Sequence, residues 1–259
     1  MHRSRVIPCL LLHRGGLVKT VQFANPRYIG DPINTVRIFN EKEVDELLIF
    51  DIDATVAGRP PDFELIEEIV GEAFMPIGYG GGVKTLEHMY RLFRGGVEKV
   101  SLSSAALEDP TLVGEAASRF GRQAVIVTLD LKRRSRWRKG YVVTTHNGTR
   151  SLPGDPIQIA VQMEQAGAGE LLVNFVDRDG TMQGYDLEYI REITGRVDIP
   201  VIALGGAGSL EDLRRVVMEA GASAAAAGSL FVYYGKHRAV LINYPSQEKL
   251  TQLMEGVSS

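Results

Sequence analysis

Residues 74–106 read FMPIGYGGGVKTLEHMYRLFRGGVEKVSLSSAA, and this stretch decides the fold. A short apolar strand runs into a glycine cluster, then an amphipathic helix, then a second strand that ends in hydroxyls. A near copy returns at residues 199–231 as IPVIALGGAGSLEDLRRVVMEAGASAAAAGSLF. Pro76 matches Pro200, Gly81 and Gly82 match Gly205 and Gly206, and Leu86–Glu87 match Leu210–Glu211, each at an offset of 124 (200 − 76, 205 − 81, 210 − 86). Glu46 and Asp53 map onto Glu170 and Asp177 at the same offset (170 − 46, 177 − 53). One offset across separate segments marks a duplicated half, and a repeat constrains the architecture before any single element does.

Working outward, apolar runs alternate with helical patterns. Strands are expected at Val6–Leu11, Glu46–Asp51, Met75–Tyr79, Lys99–Ser103, Ala124–Leu129, Glu170–Asn174, Pro200–Leu204 and Ala222–Ala227. Helical patterns include Pro61–Ala73, Thr85–Gly95, Asp155–Ala166, Leu187–Thr194 and Ser209–Ala220. Continuous apolar strands between helices imply a parallel sheet covered by helices. Eight such units imply a (βα)₈ TIM barrel in the α/β class, each duplicated half supplying four strands. An open doubly wound sheet would place its glycine-rich turn near the start, whereas here the glycine turns follow strands three and seven. The expected organisation is one barrel over residues 1–259.

Bulk properties narrow the function. At 259 residues and 44% hydrophobic, the chain can bury a large core. A net charge of −3 gives no reason to expect nucleic acid or an anionic membrane as partner. The single cysteine, Cys9, has no internal partner and fits a reducing, cytoplasmic setting. The N-terminal MHRSRVIPCLLLHRGG has an apolar run too short for a signal peptide, and no stretch approaches a membrane span.

In a (βα)₈ barrel the chemistry sits on the loops after the strands. Gly80–Gly82 and Gly205–Gly206 follow strands three and seven, where glycine permits close approach to a ligand and a helix N-terminus follows. Ser103–Ser104 and Gly228–Ser229 end strands four and eight and add hydroxyl and amide donors. The plainer reading is a set of tight turns. Paired in register within a repeat, Gly81, Gly82, Ser103, Ser104 and Gly205, Gly206, Gly228, Ser229 are expected to form two phosphate cradles on one face.

These residues also carry a family resemblance over nearly the whole chain. RVIPCL (5–10), VKT (18–20), GDPI (30–33), DEL (45–47), GGGVK (80–84), VTLDLKRR (127–134), GAGELL (167–172), DRDGTMQGYD (177–186) and GGAGSLEDL (205–213) resemble the cyclase subunit of imidazole glycerol phosphate synthase, the HisF family. The resemblance implies ammonia taken from a HisH-like glutaminase at the barrel's N-terminal face. It also implies ring closure on a bis-phosphorylated ribosyl substrate at the C-terminal face, with Lys19, Asp51, Asn174 and Asp179 in the pocket. No metal and no cofactor are implied.

Two aspartates act as acid and base in that family. The second matches Asp130; the slot of the first holds Leu11, and the lysine two residues on is His13. Leucine carries no proton, and loss of a positioned acid or base costs on the order of 10²–10⁴ in rate. Ser103, Asn174–Phe175 and Leu204 depart from the family on the same face. His13 and Asp53 are candidate replacement proton carriers; a loop histidine and a carboxylate bonded to a loop amide are the plainer roles. At the opposite end, Arg5, Glu46, Lys99 and Glu170 match the family's ring of charges at the ammonia entrance, with none lost. Such a ring also serves as a plug for the barrel bottom.

An intact entrance beside a broken catalytic pair resembles a HisF-like branch associated with surface-polysaccharide synthesis, as does the stretch from Leu10 to Thr55. That resemblance implies ammonia delivery for an acetamidino sugar of an O-antigen or related glycan, with an ATP-dependent sugar amidotransferase as a further partner. The competing reading is the working cyclase of histidine biosynthesis; a third, a sugar-phosphate isomerase, has no use for the entrance ring. The basic loop Leu131–Gly148 carries six Lys or Arg from Lys132 to Lys139 and the lone Trp137. It reads either as a solvated hairpin or as a lid or docking surface for an anionic sugar nucleotide or acidic partner. The C-terminus reads as a helix over Pro245–Gly256 capped by Ser246.

Overall fold

The computed structural model describes residues 4–134 and 140–255. Arg136, Trp137, Arg138 and Lys139 of the basic loop, and Gly256 at the end of the last expected helix, lie outside the described residues. Eight parallel strands close on themselves: β1 (Arg5–His13), β2 (Leu47–Asp51), β3 (Ile77–Gly80), β4 (Lys99–Leu102), β5 (Val125–Arg133), β6 (Glu170–Phe175), β7 (Val201–Leu204) and β8 (Ala224–Ala227). Each pairs with the next, β5 joins β6, and β8 returns to β1, so the barrel has no open edge. A helix follows every strand, from Pro32–Glu41 after β1 to Leu210–Met218 after β7 and Gln247–Glu255 after β8.

The duplication is visible in the helix caps. Asp31 and Asp155 each cap a helix that opens with proline, at the same offset of 124 (155 − 31). Asp62 and Asp186 cap with nearly the same backbone, φ −80°, ψ 86° and φ −85°, ψ 84°. Thr85 and Ser209 repeat the pattern after the glycine turns, with φ −141° and −147° and hydroxyls accepting from His88 N and Asp212 N. In each case a side-chain oxygen satisfies an otherwise unpaired amide of the first turn.

Two apolar layers hold the barrel. The larger lies between sheet and helices and includes Phe39, Leu47, Met89 and Ile190. The smaller fills the barrel interior with Ile7, Cys9, Leu48, Ile126, Leu172 and Ile202. Gly78 makes room for this inner layer, because a Cβ there would stand 2.4 Å from Leu48 Cδ2.

The expected elements are found, with one addition, the ribbon after β1, while the second ribbon is the hairpin of one of the two readings of the basic loop. β1 continues into an antiparallel ribbon, Gly16–Val21 paired with Ala24–Gly30, and β5 runs to Arg133 and pairs with Tyr141–Thr145. Both ribbons rise from the C-terminal ends of barrel strands, so they stand at the face where ligands bind. The last helix begins at Gln247, with Ser246 Oγ accepting from Lys249 N.

Candidate functional site

The C-terminal mouth encloses a cavity of about 1110 Å³, its opening included. Of the residues expected at a site, Lys19, Asp51, Gly81, Gly82, Ser103, Ser104, Asp130, Asn174 and Asp179 line it, together with Leu11 and Leu204. Gly205, Gly206, Gly228 and Ser229 do not line it. A Cβ on Gly206 would meet Gly184 O at 2.2 Å, and one on Gly228 would meet Lys19 Nζ. The β6 loop and the ribbon after β1 lie directly on this second glycine set.

The register places Leu11 and Asp130 in matching positions. Leu11 pairs with Phe50 across β1–β2, and Asp130 pairs with Asn174 across β5–β6. Phe50 and Asn174 are themselves related by the repeat offset of 124 (174 − 50). The β1–β2 side is therefore apolar at this level, from Leu11 and Phe50, and the β5–β6 side polar, with Leu204 of β7 in register beside Asn174. Asn174 Nδ2 donates to Asp130 Oδ1 at 3.0 Å. Burial raises the Asp130 carboxyl to about 7, against the pull of the Asn174 bond. Burial also raises Asp179, opposed by the Lys19 ammonium and by Thr20 Oγ1, which donates at 3.0 Å. Lys19 Nζ itself donates to Cys9 O at 3.3 Å, and burial pushes the Cys9 thiol up to about 12, so it stays an uncharged wall residue.

Asp51 is held as a carboxylate anchor. It accepts from Asp53 N, Ala54 N and Arg59 Nη2, the last at 2.8 Å, and so shapes the loop beside the glycines of β3. Gly81 and Gly82 have φ of 118° and 71°, a region open to glycine, and Gly82 N donates to Thr55 Oγ1 at 3.2 Å. Ser103 Oγ is buried with no partner among the described residues.

His13 and Asp53 pair with each other, Nδ1 to Oδ1 at 2.7 Å, and neither lines the cavity. Burial tends to raise Asp53, but the Arg14 N–H at 2.8 Å and His13 outweigh it and hold the carboxyl below its ordinary value. This pair joins the β1 and β2 loops; a proton carrier for the cavity is not among its contacts. Several wall residues lie outside the expected set, among them Phe23 at the tip of the first ribbon, with φ 61°, and His146 at the end of the second, with φ 52°. No motif marks Phe23, whereas His146 directly precedes the Asn147-Gly148 pair of a hairpin turn.

At the opposite end Arg5, Glu46, Lys99 and Glu170 close a ring. Arg5 reaches Glu46 at 2.5 Å and Glu170 at 3.0 Å, and Lys99 Nζ reaches Glu46 at 3.1 Å and Glu170 at 2.9 Å. Each acid touches both bases, which offsets much of the cost of holding Glu46 at 3% exposure. The inner apolar layer lies between this ring and the cavity. No group of three or more His, Cys, Asp or Glu with metal-binding geometry occurs among the described residues. No helix among them is long and apolar enough to cross a membrane.

A closed (βα)₈ barrel with a glycine turn at its mouth and a charged ring at its base defines a class, the (βα)₈ barrels built of two matched halves. Residues 5–238 match the family described as "Histidine biosynthesis protein". The chain is 53% identical over 250 residues to the "Putative imidazole glycerol phosphate synthase subunit hisF2" of Pseudomonas aeruginosa, covering 96% of this chain and 99% of that one. It is 48% identical over 255 residues to the "Putative imidazole glycerol phosphate synthase subunit hisF3" of Vibrio vulnificus, covering 98% of both chains. With the "Imidazole glycerol phosphate synthase subunit HisF" of Exiguobacterium sibiricum it shares 43% over 231 residues, 89% of this chain and 91% of that one. The chain belongs to the HisF family of histidine biosynthesis proteins.

Proposed function

We propose that this chain is a HisF-type barrel that receives ammonia from a glutaminase at its N-terminal face and delivers it at the C-terminal mouth, with little ring-closing chemistry of its own. The observation that carries the reading is the contrast between the two ends. All four ring charges are present and mutually bonded, while the matched positions at the mouth hold Asp130 in one half and Leu11 in the other. The apolar layer between them suits neutral ammonia, since an ammonium ion there would lose its hydration without a partner. Resemblance to the polysaccharide-associated branch extends the proposal: the acceptor is a glycan sugar that becomes acetamidino-substituted, and an ATP-dependent sugar amidotransferase uses the ammonia.

A second reading is the cyclase of histidine biosynthesis. The names of the relatives favour it, and so does the retention of Asp130 with a carboxyl near neutrality, the range suited to a general acid or base. The two readings separate in one assay. The purified chain and its Leu11→Asp variant are given ammonium salt and the phosphoribosyl substrate of the cyclase. Ammonia delivery predicts no imidazole product from the wild type; a wild-type rate matching that of a HisF cyclase overturns it. The delivery role is then measured as amidated product per glutamine hydrolysed with glutaminase and amidotransferase present. A ratio unchanged by Lys99→Ala, or no complex with the glutaminase, defeats transport through the ring.

A further inference from the structure

The second ribbon turns at His146-Asn147-Gly148, a triplet suited to positive φ, and the turn is placed over the mouth. His146 and Asn147 are consecutive non-glycine residues in the left-handed region, with φ 52° and 56°. Asn147 Nδ2 donates to Ile52 O at 2.7 Å, tying the ribbon across the mouth to the loop after β2. Two residues before His146, Thr144 pairs in register with Asp130, and its hydroxyl donates to the Asp130 carbonyl at 3.1 Å. The His146 ring lines the cavity and is half-buried. Its Nδ1 meets Thr145 Oγ1 at 3.1 Å, and Nε2 has no protein partner among the described residues.

We infer that His146 is a ligand-contacting residue that sets the specificity of the mouth for a phosphorylated sugar, through a hydrogen bond from its imidazole to a ring hydroxyl. The cavity chemistry supports that class. A sugar ring has an apolar face of C–H groups and an edge of hydroxyls. Leu11 and Phe50 offer an apolar wall to the first, and Asp130, Asn174 and His146 offer polar atoms to the second. The Asn147 latch fixes where the ribbon ends, so the imidazole is held in place before a ligand arrives, which reduces the ordering cost of binding. The inference rests on the mouth as a ligand site and is separate from the ammonia route through the ring.

The test is calorimetric titration of the full chain with two probes, inorganic phosphate and ribose 5-phosphate. Wild type is expected to bind ribose 5-phosphate more tightly than phosphate. His146→Gly is expected to lose about tenfold in ribose 5-phosphate affinity, the loss of one ligand hydrogen bond, and to keep its phosphate affinity. Its Tm should equal or exceed that of the wild type, because glycine accepts φ near 52° without strain. His146→Gln, which keeps a donor, should recover part of the loss. Equal falls for both probes, a lower Tm with unchanged selectivity, or no preference for the sugar phosphate in wild type would each overturn the inference. None of these outcomes alters the ratio of amidated product to glutamine, so failure here is distinguishable from failure of ammonia delivery.

Discussion

Removal of the Lys99 charge gives the ring its sharpest test. Lys99 Nζ bonds Glu46 at 3.1 Å and Glu170 at 2.9 Å, and these three side chains are 17%, 3% and 11% exposed. Lys99→Met deletes both contacts and leaves two carboxylates to share Arg5. Breaking a buried pair by deleting one partner costs about 3–5 kcal/mol, because the remaining charge keeps its desolvation penalty. Arg5 still reaches both acids, so the low end applies, about 3 kcal/mol. For a chain of this size each kcal/mol moves Tm by about 2–4 °C, so Tm should fall by about 6–12 °C. Urea unfolding of wild type, Lys99→Met and Lys99→Met/Glu170→Gln is the measurement. The double variant leaves one base and one acid and should recover most of the loss. A single variant within about 0.5 kcal/mol of wild type, the range of ordinary surface changes, would mean that water already solvates the ring. A double variant no better than the single would mean that charge balance is not what holds it.

Asp130 gives a pH signature. Its folded carboxyl stands near 7 because of burial, above the ordinary value of 3.8. The folded state therefore binds the proton more tightly, so the stability linked to this group is fully present below about pH 4 and is lost as pH rises through 7, up to about 4 kcal/mol. Asp130→Asn should flatten that slope and unfold later than wild type at pH 8; parallel stability profiles would refute it. Gly206→Ala should destabilise by more than about 1 kcal/mol, since φ is 114° and the added Cβ would meet Gly184 O at 2.2 Å. An unchanged urea midpoint would show that the β6 loop yields easily. Leu11→Asp adds a carboxylate at the position matching Asp130, and ammonium-fed ring closure should appear or rise by about 10²-fold or more; no gain would mean that other mouth residues block the reaction.

The barrel was legible because its evidence is redundant. The strand–glycine–helix unit occurs twice at one offset, and hydrophobic runs of strand length separate helical periods. The charged ring and the polar wall were legible through motifs that fix residue identity at strand ends. The first ribbon was not. Its tip, Gln22 and Phe23 with φ of 55° and 61°, lacks the Asn-Gly or Gly-Gly pairs that announce a tight turn. The hairpin on β5 is one of the two readings of the basic loop, but the reach of the strand through Lys132 and Arg133 was unmarked, since those side chains are exposed and carry no apolar alternation. The Asn147-Gly148 pair announces the turn of the second ribbon, but that the turn carries His146 to the cavity follows only from the pairing of Thr144 with Asp130. The second glycine set matches the first in sequence, yet the β6 loop and Lys19 lie on it. What distinguishes the two sets is the length and path of loops elsewhere in the chain.

A barrel made of matched halves contains its own control experiment. Leu11 and Asp130 sit at the same depth, beside Phe50 and Asn174, themselves one repeat apart. Strand register is thus matched while two side chains differ. Exchanging the two pairs, so that residues 11 and 50 carry Asp and Asn and residues 130 and 174 carry Leu and Phe, would turn the site half a revolution about the barrel axis without redrawing the backbone. The two βα ribbons and the loops over the second glycine set do not turn with it. Comparing the native and rotated forms would therefore separate what the strand ends contribute to this protein from what its loops contribute, within a single chain.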